Sequence, residues 1–211
     1  MRVGMMTMGA FPLSPLMALR LERVVDVLVL RFDLANGGKL WYDSFIHLDL
    51  LTKPSALFAS DTGYNWRDNF EEMLRRVDYW EPSVVVSMDC DETYGEGFED
   101  DLSKFEESDS DLLLFSYDMV ADNGRKLPQN PWCVHCKAFK WYEGLTFHGS
   151  TGFNKPAWNS FPHAQTSMRA DSKMRHFCFF SPELQDERMA QYLRKKGLVT
   201  IKKMYEEAGL G

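Results

Sequence analysis

Val84-Val85-Val86-Ser87-Met88-Asp89-Cys90-Asp91-Glu92 is a short apolar, β-branched run that ends abruptly in carboxylates. A run of that kind reads as a buried strand, and acids at its end fall where ligands sit in open α/β sheets. If the backbone stays extended through the acids, Asp89 and Asp91 point the same way. Two oxygen ligands on one side suit a hard divalent cation, Mg2+ or Mn2+, whose shell is completed by phosphate oxygens and water. The bland alternative is a solvated acidic loop, because residues 89–111 hold many more acids than bases.

Upstream, the pattern alternates. Val3–Met8 reads as a strand, Leu16–Arg23 as a helix, and Val25–Phe32 as a second strand closed by Asp33 and the turn signal Asn36-Gly37-Gly38. Trp41–Leu51 has mixed periodicity compatible with a helix, and Ala56–Ser60 is a short strand. Asn65 or Asp68 can cap a helix with Phe70, Met73, Leu74 and Val77 on one face. This rhythm predicts an α/β protein with a mostly parallel sheet flanked by helices, in one continuous domain. Downstream, Phe98–Glu107 reads as an acidic surface helix and Leu112–Tyr117 as a strand. Residues 128–162 read as strands and long loops, Met174–Phe180 as a strand, and Pro182–Lys196 as a helix.

With 211 residues, 45% of them hydrophobic, the chain can bury a sizeable core. Its charge is asymmetric. Residues 1–111 carry 10 basic and 22 acidic side chains, net -12, whereas residues 112–211 carry 14 and 9, net +5. The second half is therefore suited to an anionic partner. Cys90, Cys133, Cys136 and Cys178 are too few and too scattered for a disulfide framework, so reduced thiols in a cytoplasm are expected. No signal peptide or membrane span is expected, because Pro12, Pro15 and the charged residues from Arg20 onward interrupt the N-terminal apolar stretch. Cys133-Val134-His135-Cys136 is half of a zinc site. It lacks a second ligand pair at suitable spacing, so loop cysteines are the expectation unless His148, His163 or Cys178 converge on it.

A second polar cluster, Arg169, Lys173, Arg175 and His176, precedes the apolar Phe177-Cys178-Phe179-Phe180. Imidazole is a metal ligand, and guanidinium or ammonium groups can neutralise a diphosphate. Three further segments matter: Gly63-Tyr64-Asn65-Trp66-Arg67-Asp68-Asn69, Lys137-Ala138-Phe139-Lys140-Trp141 followed by Gly144 and His148, and Met174-Arg175-His176-Phe177 followed by Ser181-Pro182-Glu183. With the strand ending Met88-Asp89-Cys90-Asp91-Glu92, this order resembles the GT-A-type glycosyltransferases, particularly the family 2-like group, over most of residues 1–196.

The resemblance implies a GT-A-like, Rossmann-like fold, with residues 1–120 as a nucleotide-sugar-binding half and residues 121–211 as an acceptor-side half. It implies a Mn2+ or Mg2+ ion with Asp91, Asp89 and His176 as its ligands, Asp91 the more direct of the two acids, His176 the C-terminal ligand, and Asp89 also against the sugar nucleotide. Asp33 would touch the nucleoside and Arg67 the base or diphosphate, with Lys173, Arg175 and His148 also on the substrate. Glu143, Asp171 and Asp118 are the candidates for the carboxylate base that an inverting transfer requires. The segment after Asp33, Leu34-Ala35-Asn36, lacks the small polar run usual in the family, and no clear Glu-Asp pair is present, so a retaining reaction stays open. The implied partners are a nucleotide-sugar donor, a UDP-sugar by preference, and a hydroxyl acceptor. The acceptor would be a glycan or a hydroxymethylated base in DNA, as small phage transferases use. The alternatives are a metal-dependent nucleotidyltransferase or phosphohydrolase, and a non-catalytic nucleotide-binding module.

Overall fold

The strand at the end of which the acids stand is buried as its composition demands. In the computed structural model, which describes residues 1–9, 14–48, 50–61, 66–119, 134–143, 145 and 164–176, Val84, Val85 and Val86 are fully enclosed. Each such side chain contributes about 1.5–3 kcal/mol by leaving water. The elements run β1 (Arg2–Met8), α1 (Ser14–Val24), β2 (Val27–Asp33), a 3-10 helix (Leu34–Asn36), α2 (Gly38–Leu48), β3 (Ser55–Ser60), α3 (Trp66–Asp78) and β4 (Val84–Asp89). They continue with β5 (Glu92–Tyr94), α4 (Phe98–Glu107), β6 (Leu112–Met119), β7 (Val134–Lys140) and β8 (Ser167–His176).

The described strands form one eight-stranded sheet in the order β3-β2-β1-β4-β7-β6-β8-β5. β3, β2, β1 and β4 are mutually parallel, β7 runs antiparallel to β4 and β6, β8 is parallel to β6, and β5 is antiparallel to β8. One face packs Leu28, Leu30, Val86 and Met88 under Leu21 of α1, Trp41 of α2 and Leu102 of α4. The other packs Met5, Val29, Val85 and Phe139 under Phe70, Met73 and Val77 of α3. Helices on both faces explain why the central strands are continuous apolar runs rather than alternating ones. Among the described residues, no helix is long and apolar enough to cross a membrane.

Several sequence expectations change. The acids do not continue the strand: β4 stops at Asp89, residues 90–91 turn, and Glu92 opens β5. Cys136 lies within β7 rather than in a loop. It is buried against the α3 face, with its thiol donating to the Ala138 carbonyl at 3.3 Å and pushed up to about 12 by that burial. β8 begins at Ser167, seven residues earlier than the apolar pattern indicated, because a bulge accommodates its polar stretch. Arg169 to Lys173 spans the ladder that Leu114 to Ser116 spans on β6. α4 has the expected ends but is no mere surface helix. Phe98, Leu102 and Phe105 are buried, and the carboxylate of Asp101 accepts from the bulge N–H groups of Asp171 at 3.2 Å and Ser172 at 2.8 Å. Residues 177–180, the helix expected over Pro182–Lys196, and Cys133, His148, His163 and Cys178 lie outside the described residues.

Candidate functional site

β1 is the switch point of the parallel half, with β2 on one side and β4 on the other, and the crevice beyond the carboxyl ends of such strands is where open α/β sheets take their ligands. Three features build its floor. α2 starts against the ends of β1 and β2, where a Cβ on Gly38 would lie 2.5 Å from the Asp33 nitrogen and 2.7 Å from the Met8 carbonyl oxygen. Only glycine permits that approach. The indole N–H of Trp41 then donates to the Gly9 carbonyl at 2.9 Å, tying α2 to the end of β1. Cys90 turns into the same corner, where burial and the charge of Asp91 push its thiol up to about 12 and keep it protonated.

β5 follows β4 after two residues yet pairs at the far edge of the sheet. The sheet must therefore curl until its edge meets the end of β4, and that closure assembles the polar cluster. The N–H of Asp89 donates to Glu92 Oε2 at 3.0 Å, and the Tyr117 hydroxyl donates to Glu92 Oε1 at 2.9 Å. Lys137 Nζ, reaching over from β7, lies 3.2 Å from Asp89 Oδ2 and 2.5 Å from Glu92 Oε2. Burial, reinforced by the charges of Glu92 and Asp89, raises the Tyr117 phenol well above its ordinary range, so it stays a donor. At the rim, His176 Nε2 stands 3.2 Å from Asp91 Oδ2, with their side chains 19% and 34% exposed.

The structure thus brings Asp91 and His176 together and places Asp89 beside them, but it turns Asp89 toward Lys137. Asp33 ends β2 in a buried position, 4.0 Å from Arg31 Nη1, while Arg31 Nε donates to Glu72 Oε2 at 3.3 Å. Arg67 falls at the second residue of α3, and its side chain is outside the description. Lys173 and Arg175 alternate away from His176: residues 171, 173 and 175 of β8 are exposed, whereas 170, 172 and 174 point inward. Lys173 pairs with Asp118 at 3.4 Å.

Of the three candidate bases, Asp171 is 87% exposed and paired with Lys104 of α4 at 3.0 Å. Glu143 lies at the other end of the sheet, because β7 runs antiparallel to β4 and the N–H of Trp141 donates to the Ser83 carbonyl. The length of β4 puts it roughly 17 Å or more from Asp91. Asp118 is at the His176 end of the β6–β8 ladder, where its neighbours in register are Arg175 and, one step on, Met119 opposite His176. Lys137, Glu92 and Tyr117 were not among the expected site residues. A single lysine inside a strand leaves no periodic signal, and the partner that makes it informative is 48 residues away.

No protein-family model matches the chain, and no curated protein matches it significantly. Among solved structures, its fold is similar to TarS 1-349 of S. aureus, at 14% identity and a TM-score of 0.54, over 91% of this chain and 70% of that one. It is also similar to HddC from Yersinia pseudotuberculosis, solved in complex with GMP-PN, at 12% identity and a TM-score of 0.50, over 91% of this chain and all of that one. The fold is GT-A-like. At these identities the likeness covers architecture, and what the GT-A-like frame does here has to be argued from its residues.

The spacing of Asp91 and His176 can be compared with what a hard cation requires. Among the described residues, no group of three or more His, Cys, Asp or Glu side chains is arranged to hold a metal ion by itself. Two adjacent ligands of an octahedral ion at about 2.1 Å stand roughly 3 Å apart. The 3.2 Å between Asp91 Oδ2 and His176 Nε2 fits that spacing, and Mg2+ or Mn2+ ordinarily takes its other ligands from substrate phosphates and water.

Proposed function

We propose that the protein is a metal-dependent glycosyltransferase that moves a sugar from a nucleotide-sugar donor to a hydroxyl acceptor. The observation that carries this reading is the Asp91–His176 pair, contributed by chain segments 85 residues apart, at the carboxyl end of β4 in a GT-A-like sheet. Asp91 and His176 would hold Mn2+ or Mg2+. Such an ion would supply positive charge against the negative charge that builds on a departing nucleoside diphosphate.

Electrostatics support the need for a cation. Asp89 and Glu92 share the Lys137 ammonium while Asp91 faces His176, so among the described ion pairs three carboxylates stand with one fixed cation at the strand end, and a diphosphate there is favoured by a further positive charge. Asp33, beside buried Arg31 at the end of β2, would contact the nucleoside, and a UDP-sugar would be the donor. Asp118 shares an end of the β6–β8 ladder with His176, but it lies in register with Arg175 and pairs with Lys173 on the face turned away from His176, so it is not offered as the base of an inverting transfer. The acceptor is a glycan or a hydroxymethylated base in DNA. The net charge of +5 on residues 112–211 favours the second, and binding to modified duplex should then weaken steeply with salt. A cytoplasmic location, the host cytoplasm if the chain is phage-encoded, agrees with the free thiols of Cys90 and Cys136.

The test is Mn2+-dependent release of nucleoside diphosphate from a panel of UDP-, GDP- and dTDP-sugars, comparing native protein with Asp91→Ala. Release from one donor, reduced on the order of 100-fold or more in the variant, is expected. Undiminished turnover in Asp91→Ala overturns the reading. The likeness to HddC, solved with GMP-PN, favours one other reading, a nucleotidyltransferase or phosphohydrolase using the same carboxylates. Pyrophosphate or nucleoside monophosphate in place of the diphosphate identifies that chemistry.

A further inference from the structure

Lys137 is buried to 2% exposure, deeper than any ordinary surface cation, and Glu92 beside it is fully enclosed. An ammonium in that position carries a heavy desolvation cost unless it is closely paired. Here it is paired twice, with Asp89 Oδ2 at 3.2 Å and Glu92 Oε2 at 2.5 Å. Glu92 is further engaged on both oxygens, by the Asp89 N–H and by the Tyr117 hydroxyl. Asp91, two residues beyond Asp89, instead faces His176 at the open rim. The strand end therefore contains two kinds of carboxylate: an inner pair committed to a fixed ammonium, and an outer one beside an imidazole.

We propose that Lys137 is a built-in counter-ion: by holding Asp89 and Glu92 it keeps both out of the metal shell, leaving Asp91 and His176 as the ligands among the described residues for a single divalent ion. The inference deepens the metal-dependent reading and rests on it. Lys137 acts through Asp89 and is a positioning residue. Its ammonium is tethered to β7 and does not exchange, whereas the inner carboxylates, both within reach of one Nζ atom, would together attract a hard cation if that ammonium were removed. The arrangement also confines the variable charge of the site to the rim, where a diphosphate can share the ion.

The experiment is a Mn2+ titration of the full chain without nucleotide, followed by the electron paramagnetic resonance signal of the free aquo ion. Native protein and Lys137→Arg are expected to take up one ion, and His176→Ala to lose most of that uptake. Lys137→Gln is expected to bind a second ion. Because that variant leaves two acids facing each other in a closed site and can unfold, the double variant Lys137→Met with Glu92→Gln removes a whole ion pair without changing net charge. In it Asp89 is released, and Mn2+ affinity is expected to rise on the order of tenfold as a carboxylate joins the shell. A merely structural lysine would not shift affinity in that direction. One ion at native affinity in every Lys137 variant overturns the counter-ion role and leaves the rim site standing, as does uptake of two ions by the native chain. No uptake by either the native chain or the double variant overturns both the role and the metal-dependent reading beneath it.

Discussion

Tyr117 shows how finely the strand-end cluster depends on single atoms. Its hydroxyl is the donor that satisfies Glu92 Oε1 in a site closed to water, and its ring stands edge-on to His135 and His176 with centroids 4.8 and 5.8 Å away. Tyr117→Phe keeps the ring and removes the donor, so a buried carboxylate oxygen loses a partner. The expected cost is about 1–3 kcal/mol in urea unfolding, against about 0.5 kcal/mol or less for Tyr142→Phe on the exposed surface. Equal effects would show that the hydroxyl is not what holds Glu92. At this scale the sequence was partly legible. The resemblance paired Asp91 with His176, and the geometry brings them together. It also grouped Lys173 and Arg175 with His176, although period-2 alternation along a strand already sends Arg175 to the other face.

The bulge in β8 is an element-scale device, and α4 is what supports it. A bulge leaves backbone N–H groups without ladder partners, and here Asp101 accepts from those of Asp171 and Ser172. Its neighbour Asp100 is exposed, so two adjacent acids on one helix have different physical roles. Asp101→Ala is expected to cost about 1–3 kcal/mol by orphaning buried donors, and Asp100→Ala about 0.5 kcal/mol or less. Matched chemical-denaturation curves check the difference, and amide exchange should rise at residues 171 and 172 in the first variant alone. From composition α4 reads as a solvated acidic face, because nothing in a run of acids says which one a distant strand will use.

For the molecule as a whole, the two-sided core sets how it responds to alkaline pH. Cys136 sits between the sheet and α3, where burial moves its thiol from 9.0 to about 12. A group whose folded value is raised keeps its full stabilising effect below the unfolded value and loses it as pH climbs toward the folded one. Above pH 9.0 the unfolded chain ionises this thiol while the folded chain cannot, so stability falls up to about pH 12. The loss is roughly 4 kcal/mol across that window. Cys136→Ala, referenced to its own stability at pH 7, should show a shallower alkaline decline in melting temperature. An unchanged slope would assign the decline to other groups.

The sequence by itself determined the parallel half. Short apolar runs and the amphipathic face of α3 are local signals, and they locate β1 to β4, their helices and the strand ends where ligands bind. Only the tertiary structure decided what the acids at that crevice do. A two-residue turn after Asp89 and the curl that returns β5 to the end of β4 bring Lys137, Tyr117 and His176 together from three separate strands. Which carboxylate meets an ammonium and which meets an imidazole is fixed by that closure, because hydrogen bonds and ion pairs act over a few ångströms of space and are indifferent to separation along the chain.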